Sequence, residues 1–255
     1  MKPKVVGLCR VRNEAAILKD TLDHFGPDCD NIIVYDDCSV DDAVAIAMAH
    51  PKVGENGVIE QFEPWQTDRT REEWRHRQIL LEAGRVLKPD WFIYFDSDER
   101  LEWTVEPDTL FSDPECDAIY FRLFDAYLTE DDGEDFSGDR KWWGPEYRDI
   151  VFAFRNQPQM RYEDRDQREV KGYRNPKMGG YCKHFGKAIS VAEWESTCNY
   201  YVRWFPEPYS SKWKARKGGA IHTTGSDFGR PLYRWEEAKA NAVRIGQLQY
   251  IRSYE

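Results

Sequence analysis

The chain has 255 residues, 41% hydrophobic and 15% aromatic, which suffices for one large domain or two small ones with an ample core. Its formal net charge of −10 argues against nucleic acid as a partner, because a duplex binder needs a basic face. No apolar run approaches the ~20 residues of a membrane span, and the opening MKPKVVGLCRVRNE has too short an apolar core for a signal peptide, so a soluble, cytoplasmic protein is expected.

Val5 to Val11 is a compact apolar run and predicts a buried strand, and Asn13 is placed to cap the helix that follows. Leu18, Leu22 and Phe25 repeat at helical spacing until Gly26-Pro27 stops the helix. Ile32 to Tyr35 predicts a second strand, ending in Asp36-Asp37. Ser39-Val40-Asp41-Asp42 has the form of a capping box opening an Ala-rich helix to about Ala49. Val58 to Phe62 predicts a third strand, and Thr70-Arg71-Glu72-Glu73 a further capping box. The helix it opens carries Leu80, Ala83 and Leu87 on one face and ends at Lys88-Pro89. Trp91 to Phe95 is a fourth apolar strand, running into Asp96-Ser97-Asp98-Glu99.

Four strand–helix alternations with short connections predict a mostly parallel sheet covered by helices on both faces. In such sheets ligands bind beyond the carboxyl ends of the strands. Three of those ends carry distinctive polar groups: Arg12-Asn13-Glu14, Asp36-Asp37 and Asp96-Ser97-Asp98.

The second half is less regular. Strands are expected over 118–124 and 150–155, a mobile acidic loop over 129–139 and a solvated charge run over 163–171. Helices are expected over 191–205 and 235–250. Neither an internal repeat nor a low-complexity linker interrupts the chain, so a single domain is the simplest organisation. The six cysteines include no C-x-x-C pair and are expected to be reduced thiols.

No dinucleotide fingerprint, P-loop or nucleophile elbow is present. The Asp-Ser-Asp at the exit of an apolar strand is the strongest chemical signal. Clustered carboxylates repel one another unless a cation sits between them, and an all-oxygen set suits Mg2+ or Mn2+ carrying a diphosphate.

Val11-Arg12-Asn13-Glu14, Val34-Tyr35-Asp36-Asp37-Cys38-Ser39-Val40-Asp41 and Phe95-Asp96-Ser97-Asp98-Glu99, in that order on those strand ends, resemble family 2 glycosyltransferases with the GT-A fold, in the branch whose metal motif reads Asp-x-Asp-Glu. The resemblance covers the first ~105 residues and continues more weakly through Val151 to Asn156 and Lys183-His184-Phe185-Gly186. It implies an α/β GT-A fold with an irregular α+β C-terminal half. Residues 1–105 would form the nucleotide-sugar-binding half and 106–255 the acceptor-binding half.

Residue by residue, the resemblance implies that Arg12, Asn13 and Glu14 line the nucleotide pocket. Asp37 or Asp36 would accept a hydrogen bond from the base, uracil being the common case. Asp96, with Ser97 beside it, would meet the ribose or metal-bound water; Asp98 would ligate Mn2+ or Mg2+; Arg77 would meet the diphosphate. His184, ahead of His222, would complete the metal or diphosphate site. The donor would be a nucleotide sugar, UDP-linked by preference, and the acceptor a glycan hydroxyl. An inverting reaction needs a carboxylate base, for which Asp166, Asp164, Asp149 and Glu163 are candidates, Asp166 first. Trp142, Trp143, Trp204 and Trp213 are candidate stacking surfaces on the acceptor side. One departure is Cys38, where the family has Gly or Asn.

Two other classes compete. An aspartyl-nucleophile phosphatase also places D-x-D after a strand, but wants Thr or Val where Arg100 stands. A degenerate transferase fold could serve only to bind carbohydrate, against which the intact Asp96 and Asp98 speak.

Overall fold

The structure, a computed structural model, describes residues 2–54, 57–63, 69–132, 136, 139–163, 168–223 and 225–245, the side chains of 69–71 excepted. In chain order its elements are β1 (Val5–Val11), α1 (Ala15–Phe25), β2 (Asn31–Asp37), α2 (Ala43–Ala49), β3 (Val58–Gln61), α3 (Arg69–Val86), β4 (Trp91–Asp96), β5 (Glu99–Trp103), α4 (Pro107–Ser112), β6 (Ala118–Tyr127), β7 (Trp142–Arg155), β8 (Pro176–His184), α5 (Val191–Trp204), α6 (Tyr209–Arg216), α7 (Trp235–Ala240) and β9 (Val243–Arg244). The strands follow the order β3-β2-β1-β4-β7-β6-β8-β5, with β9 on β7. The chain divides into two compact units: Met1–Phe121 with Ile150–Tyr181, and Arg122–Asp149 with Cys182–Glu255.

In the first unit β3, β2, β1 and β4 are mutually parallel, and β7 joins β4 antiparallel. Side-chain alternation sends Val6, Leu8, Ile33, Tyr35, Phe92 and Tyr94 to one face, where Leu80 and Leu81 of α3 close a core completed by Phe154, Met160 and Tyr162. The opposite face is covered by α1, whose Phe25 stacks on Phe95 at 3.8 Å. Helices on both faces make the strand interiors largely apolar, which explains their hydrophobic runs. At Gly84 the helix α3 lies so close to the sheet that a Cβ would sit 2.6 Å from the Phe92 ring.

Two expected caps are differently built. Asn13 takes a left-handed conformation (φ 53°), and its Oδ1 accepts from Val40 N instead of capping α1. The first amide of α1, on Ala15, donates to Asp41. Ser39 opens no capping box; its Oγ accepts from Asn13 N, while Asp41 also accepts from Ala43 N at the start of α2. The loops after β1 and β2 therefore hold each other, which no local rule for one helix end anticipates. The third expected box rests on Thr70 and Arg71, whose side chains lie outside the described residues.

The charge run after Glu163 is not all solvated turn, because Arg168 returns to the first unit's acids at 2.6 Å. β7 begins at Trp142, earlier than expected, because Gly144-Pro145 do not break the strand. The elements β5, α4, β8 and α6 have no counterpart in the sequence reading.

The second unit has an aromatic interior. Trp143, fully buried, meets Trp235 at 4.7 Å and Phe185 at 5.4 Å. Trp213 of α6 is buried and stacks on Tyr201 of α5 at 4.4 Å. Trp143 and Trp213 are thus core residues rather than sugar platforms. The helix expected over 235–250 ends at Ala240, where Asn241 donates to the Glu237 carbonyl through both its backbone and side-chain nitrogens. Val243 and Arg244 pair with β7, and residues 246–250 lie outside the description. The cysteines form no disulfide. Among the described residues no helix is long and apolar enough to cross a membrane.

Gly180 in β8 has φ 152°, and a Cβ there would lie 2.1 Å from the Glu102 carbonyl oxygen of β5. Gly180→Ala is expected to lower the unfolding free energy by about 2–3 kcal/mol through backbone strain and overpacking. Urea denaturation checks this; an unchanged midpoint would show that the β5 edge has room to shift.

Candidate functional site

The strand register assembles the three sequence motifs. Val11 of β1 lies opposite Asp36, and Arg10 lies opposite Asp96, so the exits of β2, β1 and β4 stand side by side in the first unit. Two loop residues take left-handed backbone to turn there, Asn13 and Cys38 (φ 59°). Cys38 thus occupies a backbone conformation that Gly and Asn adopt more readily than other residues.

Asp37 points to the α3 side and is fully buried. Its Oδ2 lies 2.6 Å from Arg10 Nη2, and Arg12 Nη1 donates to its carbonyl oxygen. Arg10 also donates from Nε to His76 Nδ1 at 3.3 Å, and His76 stacks on Tyr35 at 4.5 Å. Asp36, on the other face of β2 and 3% exposed, accepts from Ser39 N through Oδ2. Its Oδ1 has no hydrogen-bond partner. Burial pushes the Asp36 carboxyl above the ordinary range. A buried acceptor without a donor is costly unless a ligand supplies one.

The β4 exit is crowded with charge. Asp96 Oδ1 accepts from the Tyr94 hydroxyl at 2.7 Å, and Oδ2 lies 2.6 Å from Arg168 Nη1 and 3.8 Å from Arg77 Nη2. Glu99 Oε2 accepts from Asp96 N at 2.8 Å and from Arg168 Nη2 at 2.6 Å. Burial alone would raise the Asp96 carboxyl, but Arg168, Arg77 and the Tyr94 hydroxyl outweigh it and hold it at about 2. Arg77, 4% exposed, donates from Nε to Tyr94 at 2.9 Å, while its Nη1 has no hydrogen-bond acceptor. Ser97 and the half-buried Asp98 form the turn into β5. Thr21 and Arg100 donate to the Ser97 carbonyl, and Arg100 is anchored on Asp20 of α1, so the turn is tied to that helix.

Asp96 and Asp98 are hard oxygen donors of the kind Mg2+ and Mn2+ take. Both Asp96 oxygens are engaged within the chain, so an ion there would meet the Arg168 guanidinium beside it. Asp37, Glu72 and His76, all buried, have ligand atoms within 4.8 Å of one another, the spacing of a three-residue metal set. Arg10 already brings positive charge into that group.

The second unit holds His184, His222 and Asp149. His184 Nδ1 lies 2.6 Å from Asp125, which also meets Lys187 and Arg148, each at 2.9 Å. A carboxylate on one ring nitrogen fixes the orientation of a histidine, as it does for histidines that ligate metals. His222 has Nδ1 3.1 Å from the Ala220 carbonyl and Nε2 3.4 Å from Asp227. It lines an open cleft of about 370 Å3 with Glu130, Asp131, Trp142 and Thr223. Asp149 stands between Arg122 at 3.6 Å and Arg244 at 3.2 Å. Asp164 and Asp166 lie outside the described residues.

Sequence reasoning overlooked Arg10, Glu72, His76 and Arg168. Arg10 had a signal, a charge inside an otherwise apolar strand. Glu72 and His76 had the i, i+4 spacing that puts both on one helix face. Arg168 had none, lying in a run of charges.

No protein-family model matches the chain, and no curated protein matches it in sequence. Solved structures with partial likeness include glucosyl-3-phosphoglycerate synthase from Mycobacterium tuberculosis, in complex with Mn2+, UDP and phosphoglyceric acid. It is 20% identical with a TM-score of 0.34, over 48% of this chain and 43% of that one. Mannosyl-3-phosphoglycerate synthase from Rubrobacter xylanophilus is 17% identical, TM-score 0.31, over 53% and 43%. TarS from S. aureus, in complex with UDP, is 14% identical, TM-score 0.36, over 55% and 40%. The chain thus matches less than half the length of each.

Because the folded-state value of Asp96 lies below the ordinary carboxylate value of about 3.9, its ionised form contributes stability above about pH 4 that is lost as pH falls toward about 2. The difference in urea midpoint between wild type and Asp96→Asn is expected to be largest near neutrality and to shrink across that acid window. A difference constant from about pH 6 to about pH 2.5 would show that the charge on Asp96 is not what the arginines hold.

Proposed function

We propose that this chain is a metal-dependent glycosyltransferase of the GT-A kind, moving a sugar from a nucleoside-diphosphate donor, a UDP-sugar first, to a hydroxyl acceptor on a glycan with inversion. One observation carries the reading. Three segments remote in sequence converge on one sheet edge, and the buried Asp36 at that edge keeps a carboxylate oxygen without a donor. The imide N–H of a uracil is a donor of the right kind. The Arg12-Asn13-Glu14 turn would flank the base, held in place by the loop after β2.

Arg77 supports the diphosphate part of the reading. Its buried guanidinium has an Nη1 with no hydrogen-bond acceptor, which a phosphate oxygen would satisfy as a charge-assisted bond. Asp98 and Asp96 would hold Mn2+ or Mg2+; when bound, the ion supplies Lewis-acid charge to the nucleoside-diphosphate leaving group. The base that takes the acceptor proton is proposed as Asp166 or Asp164 ahead of Asp149, which two guanidinium groups already flank. Residues 1–105 would carry the donor and 106–255 the acceptor.

Calorimetry with UDP, with and without Mn2+, tests the reading. Binding is expected in both conditions and to be tighter with the ion. Asp36→Asn, which exchanges an acceptor oxygen for a donor nitrogen at constant shape, is expected to weaken UDP at least tenfold, about 1.4 kcal/mol, with an unchanged circular dichroism spectrum. If UDP produces no heat in either condition, the donor assignment fails.

A further inference from the structure

We infer that the Arg168 guanidinium is the built-in counter-ion of the acids where β4 ends, and that Arg168 and a divalent cation hold those carboxylates alternately, never together. The inference rests on the reading of this edge as a donor and metal site.

The geometry is that of a fixed ion pair. The two terminal nitrogens of Arg168 divide between two carboxylates, Nη1 to Asp96 Oδ2 and Nη2 to Glu99 Oε2, both at 2.6 Å. Its plane lies between two aromatic rings, with the guanidinium carbon 4.9 Å from Tyr94 and 4.8 Å from Phe152. The planar fork and both ring contacts select arginine, since a lysine ammonium would make one point contact in their place. The side chain is 18% exposed, so water screens the pair weakly.

Each Asp96 oxygen already has a charged or hydrogen-bonding partner while this contact stands. One oxygen takes the Tyr94 hydroxyl, and the other takes Arg168, with Arg77 3.8 Å away. A dication entering between Asp96 and Asp98 would face the guanidinium across a partly buried space, where like charges repel strongly. The ion therefore binds by displacing Arg168. Arg168 sets the affinity of the site for metal and leaves the edge charge-balanced without one.

Mn2+ binding to the full-length chain, followed by loss of the free-ion paramagnetic resonance signal, tests this. Arg168→Gln is expected to bind Mn2+ at least about tenfold more tightly than wild type, because the competing charge is gone. Adding Asp98→Ala to that variant is expected to abolish the gain. Equal or weaker Mn2+ binding by a folded Arg168→Gln overturns the inference. Should that variant not fold, the wild-type Arg168 Nη1–H resonance, whose proton is donated to Asp96, gives the same answer. It is expected to lose its protection from exchange at saturating Mg2+, and persistence there overturns the inference. UDP calorimetry in chelator on the same proteins keeps the two claims apart. UDP binding with no Arg168 effect on metal sinks the counter-ion alone, whereas absence of UDP binding sinks the donor reading whatever Mn2+ does.

Discussion

The buried carboxylate of Asp37 governs the architecture of the first unit. An ionised group with no exposure survives only when paired, and here Arg10 of β1 and Arg12 just beyond it supply the pairing. Arg10 in turn reaches His76 and Glu73 on α3. One buried charge thereby ties two strands and a helix together, and two of the three sequence motifs are carried at the ends of those strands. Removing one partner would strand a charge in the core, so the constraint acts on all of them at once.

The same logic explains why so apolar a sheet ends in so polar an edge. Parallel strands covered on both faces leave polar groups only one place to gather, beyond their carboxyl ends. There the carboxylates do not sit in open water. Asp96 and Glu99 share Arg168, and Tyr94 bridges Arg77 to Asp96. Asp36 Oδ1 and Arg77 Nη1, an acceptor and a donor, are among the buried polar atoms there without a hydrogen-bond partner, although Arg77 Nη1 lies 3.7 Å from Glu73. A nucleotide offers both complements, a base N–H and a phosphate oxygen, in one molecule.

The second unit solves its own charge problem separately. Asp125 is buried among Arg148, His184 and Lys187, and these hold its carboxyl well below the ordinary range against the opposing effect of burial. Lys187 continues to Asp227, which meets Arg216 and His222. Both histidines singled out by sequence are therefore members of ion-pair networks, their ring orientations set by carboxylates. Trp142 lines a cleft beside His222.

The alternation of apolar runs and helical spacings was enough to derive β1 to β4 and α1 to α3, because each of these elements buries a continuous face and must advertise it in composition. The gathering of Arg12, Asp36 and Asp96 on one edge followed from the same pattern, since parallel connections bring successive carboxyl ends together. Tertiary structure alone decided which acid is spent and which is spare. Asp36 and Asp37 are neighbours in sequence, yet the pleat sends Asp37 toward the α3 side and Arg10, and Asp36 to the other face, where its Oδ1 meets no donor. It likewise took the fold to bring Arg168 back 72 residues to Asp96. Such an ion pair leaves no periodic trace, because its partners meet through the path of the chain and not through local spacing.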